Sequence, residues 1–189
     1  MTSSIKILGM AGSLRKASYN RALLRAATTQ VPETATLEIL DLDGIPLFNQ
    51  DLENPPPEIV TTMKQKIEAA DCILFVTPEN NASVPAVLKN AIDWGSRPNG
   101  QNSWHGKPAG VIGATMGRLG TARAQCHLRQ VLYSLGMITM NQPEVFVATV
   151  QNLVDGSNTL TDEATKNFLR KYLIALTDWA AKINAGKFA

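Results

Sequence analysis

Hydrophobic positions along this chain follow two rhythms. Short apolar runs at Ile5–Leu8, Leu37–Leu40, Cys72–Val76 and Gly110–Ala114 read as buried strands, and a fifth extended region comes in two pieces, Ile138–Met140 and Val145–Val150. Between them apolar residues recur at helical spacing: Leu23, Leu24 and Ala27; Ile59, Met63 and Ile67; Val87, Leu88, Ala91 and Ile92. A fourth stripe, Ala124, Leu128, Val131, Leu132 and Leu135, is followed by Gly136 as a natural stop. The last helix begins near Thr161, its predicted N-cap, with Asp162 and Glu163 in the first turn and Phe168, Leu169, Leu173, Leu176, Ala180 and Ile183 on its apolar face. Five strand-then-helix units predict an α/β chain, a five-stranded parallel sheet covered on both faces. No repeat or linker interrupts the alternation, so one domain over 1–189 is expected.

Right-handed crossovers gather the carboxyl ends of such strands on one edge, where ligands of open α/β sheets bind. Three polar loops fall there. The first, "GSLRKASYN" at 12–20, offers Gly12 for a tight turn, Ser13, Ser18 and Asn20 as side-chain donors, and Arg15 or Lys16 as full charge beside a helix N-terminus, a combination that favours a phosphate. Helix capping by Ser18 or Asn20 with solvated cations is the plainer alternative. The second, "TPENNASVPAVLKNAIDW" at 77–94, places Glu79, Asn80, Asn81 and Ser83 between Pro78 and Pro85, donors and acceptors that suit a flat heteroaromatic ring; an Asn-rich turn without a ligand is its alternative. In the third, "GATMGRLGTARAQ" at 113–125, Gly113, Gly117 and Gly120 let backbone come close to a ligand and Thr115 offers a hydroxyl. Three such loops at successive strand ends line one crevice, which makes a site the better reading.

The kind of phosphate is narrowed by what is missing. The chain has no Gly-Lys-Ser or Gly-Lys-Thr, so a nucleoside-triphosphate loop is excluded, and Gly9, Gly12 and Asp41 do not match the spacing of a dinucleotide fingerprint. A monophosphate wrapped by one polar loop remains, which is how flavodoxin-like sheets hold FMN.

With "GKP" at 106–108, "ATMGRLGTARAQCHLRQVL", "NQPEVF" at 141–146 and "VQNLVDG" at 150–156, these segments resemble the NADPH-dependent FMN reductase family, above all its bacterial chromate and quinone reductases, over nearly the whole chain. The resemblance implies a flavodoxin-like three-layer sandwich of strand order 2-1-3-4-5, bound FMN, NADPH or NADH as electron donor, and a homodimer or homotetramer with the flavin near a subunit contact. Carried over by position, Ser13, Arg15, Ser18, Tyr19 and Asn20 surround the phosphate and ribityl chain, with Lys16 beside them. Pro78, Glu79, Asn80 and Asn81 border the ring, and Thr115, Gly117 and Gly120 close the third side. Arg123 and Glu144 correspond to charged positions at the subunit contact. The chain departs from its relatives where they carry tyrosine at Asn80, often a second aromatic at Ala82, glycine at Thr121 and tyrosine at Cys126. The expected reaction passes hydride from the nicotinamide to FMN and then electrons to quinones, azo compounds or chromate, and no catalytic side chain or metal is assigned.

Composition narrows the partners. Eighteen Lys and Arg against sixteen Asp and Glu give +2 without a basic block, which argues against nucleic acid and lacks the acidity of a flavodoxin-type electron carrier, the alternative function beside an FMN-binding regulatory module. Cys72 and Cys126 lie in apolar-periodic stretches and are read as buried small hydrophobes in a reducing compartment. With no membrane-length apolar run and no signal segment, a cytoplasmic protein is expected. His127 reads as structural, and Trp104 and His105 as packing or interface residues.

Overall fold

The computed structural model describes residues 4–186, so both ends of the expected 1–189 domain lie outside the described residues. In chain order its elements are β1 (Ile5–Ala11), α1 (Tyr19–Thr28), β2 (Ala35–Leu40), α2 (Glu58–Ala69), β3 (Cys72–Val76), α3 (Ala86–Gly95), β4 (Pro108–Ala114), α4 (Ala122–Ser134), β5 (Ile138–Thr139), β6 (Val145–Val147) and α5 (Glu163–Asn184). Single 3₁₀ turns stand at Gln50–Leu52 and Val150–Asn152. All strand pairs are parallel and the order is β2-β1-β3-β4-β5, as expected, with β6 as a sixth strand also paired to β4.

The two-piece fifth region becomes two strands because it follows β4 only at its ends. Pro108 and Ala109 pair with β5, whereas Ile112 to Ala114 pair with β6. Pro143 falls in the break and has no N–H to donate to a ladder. Side chains from α4 serve the freed carbonyls instead: Arg129 Nη1 donates to Met140 O at 2.8 Å and Gln125 Nε2 to Val145 O at 2.9 Å. The second piece ends at Val147 rather than Val150, since residues 150–152 turn into a 3₁₀ helix.

Alternation along the central strand divides the core between two faces. Cys72, Leu74 and Val76 pack with Leu23 and Leu24 of α1 and Leu169, Leu173 and Leu176 of α5. Ile73 and Phe75 face the other way, onto Met63 and Ile67 of α2, Leu88 and Ile92 of α3, and Leu128 and Leu132 of α4. Period two on a strand thus feeds two helical layers, the three-layer arrangement expected.

Three sequence expectations are corrected. The N-cap of α5 is Asp162, whose Oδ2 accepts from Thr165 N at 2.7 Å, because a carboxylate one residue nearer the helix outcompetes the Thr161 hydroxyl, which bonds to Leu153 O. In α2, Val60 is buried with Met63 and Ile67 while Ile59 is exposed, since spacing of three and then four keeps a helical stripe straight whereas two steps of four drift off it. Cys126 is exposed, not buried: the inner face of α4 is Ala124, Gln125, Leu128 and Leu132, and only Cys72 is the buried small hydrophobe expected. No helix among the described residues is long and apolar enough to cross a membrane.

Candidate active site

At the carboxyl edge of the sheet the loops after β1, β3 and β4 meet around a cleft of about 520 Å³. Its walls include Ser13, Arg15, Ser18, Tyr19 and Asn20 from the first loop, Pro78, Glu79 and Asn80 from the second, and Thr115 from the third. Lys16, Asn81, Gly117 and Gly120 are not part of the lining. Lys16, Asn81 and Gly117 are exposed beside the cleft, and Gly120 is buried.

Gly120 serves the fold. Its φ is +55°, and a Cβ there would stand 2.5 Å from Phe146 Cβ, so the missing side chain lets the third loop lie against β6. Gly113 likewise admits Thr121 and the Thr77 carbonyl, since a Cβ would lie 2.0 Å from Thr121 Oγ1. The expected close approach at these two glycines is of chain to chain, not of chain to ligand.

The first loop is shaped by α1. Ser18 is the N-cap, its Oγ accepting from Arg21 N at 3.3 Å, while its own N–H donates to Arg15 O at 3.0 Å. Asn20 is buried and engaged at both ends of its amide: Nδ2 donates to Ala114 O at 2.8 Å and Ala114 N donates to Oδ1 at 2.9 Å. It ties the start of α1 to the end of β4 and so joins the first and third loops. The Arg15 guanidinium lies 5.4 Å from the centre of the Tyr19 ring.

The second loop is a two-residue turn. Asn80 N donates to Ser83 O and Ser83 N to Asn80 O, at 3.2 and 3.0 Å, with Asn81 and Ala82 between them at φ +49° and +61°. His127 Nδ1 meets Ser83 Oγ at 3.1 Å, which gives this histidine a tethering contact from α4. Glu79 reaches the same helix: its Oε2 accepts from Arg123 N at 3.1 Å and Ala124 N at 3.3 Å, and Arg123 Nε donates to Oε1 at 2.7 Å. Burial opposes its charge, but the Arg123 side chain and the Ala124 and Arg123 N–H groups outweigh that and hold the carboxyl below its ordinary value. Thr121, the N-cap of α4, makes no side-chain cap bond, so Glu79 fills that place. Arg123 therefore pairs with Glu79, while Glu144 is exposed.

Leu14, Pro85, Ala86, Val87 and Met116 complete much of the lining and are not singled out as site residues by the sequence reading. Leu14 carried a usable signal as the one large aliphatic residue of the polar first loop, and Met116 shares the third loop with Leu119; Leu14 and Met116 are both exposed.

Strand order 2-1-3-4-5 with a cleft over the β1/β3 switch is the flavodoxin-like arrangement. The profile of the NADPH-dependent FMN reductase family matches residues 5–152, and the chain belongs to that family. It is an oxidoreductase, and the cofactors of its family are FMN and NAD(P)H. The chain is 46% identical over 186 residues to an NAD(P)H-dependent FMN reductase of Pseudomonas aeruginosa, covering 97% of this chain and 99% of the relative. A 2-hydroxy-1,4-benzoquinone reductase of a Burkholderia species is 40% identical over 176 residues, covering 93% and 96%. Among solved structures, FerB, a flavoenzyme NAD(P)H:(acceptor) oxidoreductase of Paracoccus denitrificans, superposes with a TM-score of 0.87 at 39% identity, covering 94% of this chain and 98% of that one.

The donor set of the first loop fits the phosphate of FMN. Among the described residues the N–H groups of Tyr19 and Asn20 find no acceptor, and the Arg15 guanidinium has no carboxylate partner. A helix start with free N–H groups, a hydroxyl and an unpaired guanidinium is what an anionic group needs.

Proposed function

We propose that the cleft holds FMN and that the chain uses it to carry electrons from NADPH or NADH to quinones and related small acceptors, azo compounds and chromate included. Convergence carries this reading: three loops that the sequence marks separately line one cleft of about 520 Å³ at the N-terminus of α1. Ser13, Arg15, Ser18, Tyr19 and Asn20 hold the phosphate and ribityl chain, with Lys16 adding charge from outside the lining. Pro78, Glu79, Asn80 and Asn81 border the ring, and Thr115 and Gly117 bound it from the third loop.

Bound FMN supplies the hydride acceptor and the electron relay. The chain supplies placement. Asn20 fixes the first loop to the third, and Glu79 fixes the second to α4, so the walls of the cleft are set before any ligand enters. The Glu79 carboxylate is engaged by Arg123 and the N-terminus of α4, which leaves it a wall-fixing part rather than a proton-transfer one.

A homodimer or homotetramer in the cytoplasm completes the reading. Met116, Leu119 and Tyr133 are large apolar side chains left exposed on the third loop and α4, which supports a subunit contact there, and two free cysteines suit a reducing compartment. The decisive experiment is anaerobic: the FMN-loaded protein should lose its visible flavin absorbance on addition of NADPH or NADH and regain it when a quinone is added. Retained absorbance with both nucleotides would overturn the reading.

A further inference from the structure

The family profile ends at residue 152, yet the chain beyond it reaches back to the first loop. Residues 155–159 form a closed turn in which the Asp155 carboxylate accepts from Ser157 N at 2.9 Å, Ser157 Oγ at 2.6 Å and Thr159 N at 3.0 Å. Asp155 N donates to Thr159 O, and Asn158 N to Asp155 O, both at 3.0 Å. The turn presents Asn158 at φ +61°, a conformation that asparagine tolerates better than most residues.

From there Asn158 holds α1 at two points. Its Nδ2 donates to the carbonyl of Ser18, the N-cap, at 3.1 Å, and its own carbonyl accepts from Arg25 Nη2 at 3.1 Å. The Ser18 carbonyl also receives the first helical N–H, from Ala22 at 3.0 Å. The cap is thus fixed from inside the helix and from outside it, and among the described residues these are the hydrogen bonds by which the turn leaves itself. One leads to the cap at the start of α1 and the other to Arg25 in its last turn, and neither leads to the second or third loop.

We infer that Asn158 is a positioning residue for the phosphate end of the cofactor site, holding the Ser18 cap so that the Ser18 hydroxyl and the Tyr19 and Asn20 N–H groups converge on one anion. The inference rests on the FMN reading above. A helix start donates to a phosphate only while its N–H groups point to a common centre, and the cap residue sets that direction. Because the grip acts at Ser18, its loss affects recognition of the phosphate and leaves recognition of the ring alone.

Comparing FMN with riboflavin isolates that effect. Dissociation constants for both are measured on the full-length protein freed of flavin, as the natural chain and as Asn158→Gly, which retains the left-handed turn and the carbonyl that meets Arg25 but lacks the amide. The natural chain prefers FMN, and Asn158→Gly lowers the FMN-to-riboflavin preference about five- to tenfold, through weaker FMN binding alone. Asn158→Ser, whose hydroxyl is too short to reach the Ser18 carbonyl, gives the same result and serves if the glycine variant does not fold. A preference unchanged in the variants, including an equal loss for both ligands, overturns the positioning role while leaving the FMN reading in place. A natural chain that does not distinguish the two ligands overturns the phosphate assignment and this inference together.

Discussion

Glu79 and Arg123 join the loop after β3 to the first turn of α4. Arg123 Nε donates to Glu79 Oε1 at 2.7 Å while the Arg123 and Ala124 N–H groups donate to Oε2, so one carboxylate both pairs with a guanidinium and caps a helix. Glu79→Gln keeps an acceptor but loses the charge that the dipole and the arginine favour. The substitution should lower the Tm at pH 7 by about 2–4 °C, the effect of roughly 1 kcal/mol in a chain of this size. The carboxyl is held below its ordinary value of 4.5, so its contribution is full above that value and is lost as pH falls through the lower folded one. Thermal melts of both proteins from pH 7 to pH 3 should therefore converge in acid, and a constant difference across that range would count against the charge.

The turn tip carries a stability test that is separate from the chemistry. Ala82 sits at φ +61°, where a Cβ costs about 1–2 kcal/mol and glycine is free of that cost. The greater freedom of glycine in the unfolded chain offsets about 0.4–1 kcal/mol of the gain. Ala82→Gly should raise the Tm slightly and leave FMN affinity unchanged. A lowered Tm would mean that the Ala82 methyl packs for more than the strain it causes.

Much of this architecture was legible because the chain is locally consistent with its fold. The unbroken apolar run Cys72–Val76, which marks a strand buried on both faces, and the stripes of α1, α3 and α4 point the same way as the sheet that buries them. The cleft was legible for a different reason: strand ends of a parallel sheet share one edge, so polar loops far apart in sequence must meet there. What the sequence hid depends on contacts between distant residues. Nothing local in Asn20 announces that its amide closes on Ala114, and nothing in Glu79 that it caps α4 in place of Thr121. Gly120 looked like a ligand-side glycine because the loop pattern cannot reveal that Phe146 lies against it.

On the proposed reading Asn80 bears on acceptor choice. It is exposed and lines the cleft, and the family resemblance implies a tyrosine at this position, so an aromatic ring placed there would add apolar contact to a flavin held in the cleft and narrow the entrance. Asn80→Tyr should tighten FMN binding modestly and slow bulky quinones more than small ones. Flavin titration and steady-state rates with a small and a bulky quinone check this. Unchanged affinity together with unchanged selectivity would place residue 80 outside the working part of the cleft.

The claim that the first loop is a phosphate site for FMN is tested most directly by titrating the flavin-free protein with FMN and with riboflavin, alongside Arg15→Ala. One or two charge-assisted hydrogen bonds at about 1.5–3 kcal/mol each predict that FMN binds at least tenfold more tightly than riboflavin. Arg15→Ala should remove about 1.5–3 kcal/mol of FMN affinity and leave riboflavin unaffected. Equal affinity for the two ligands in the natural chain would contradict the account.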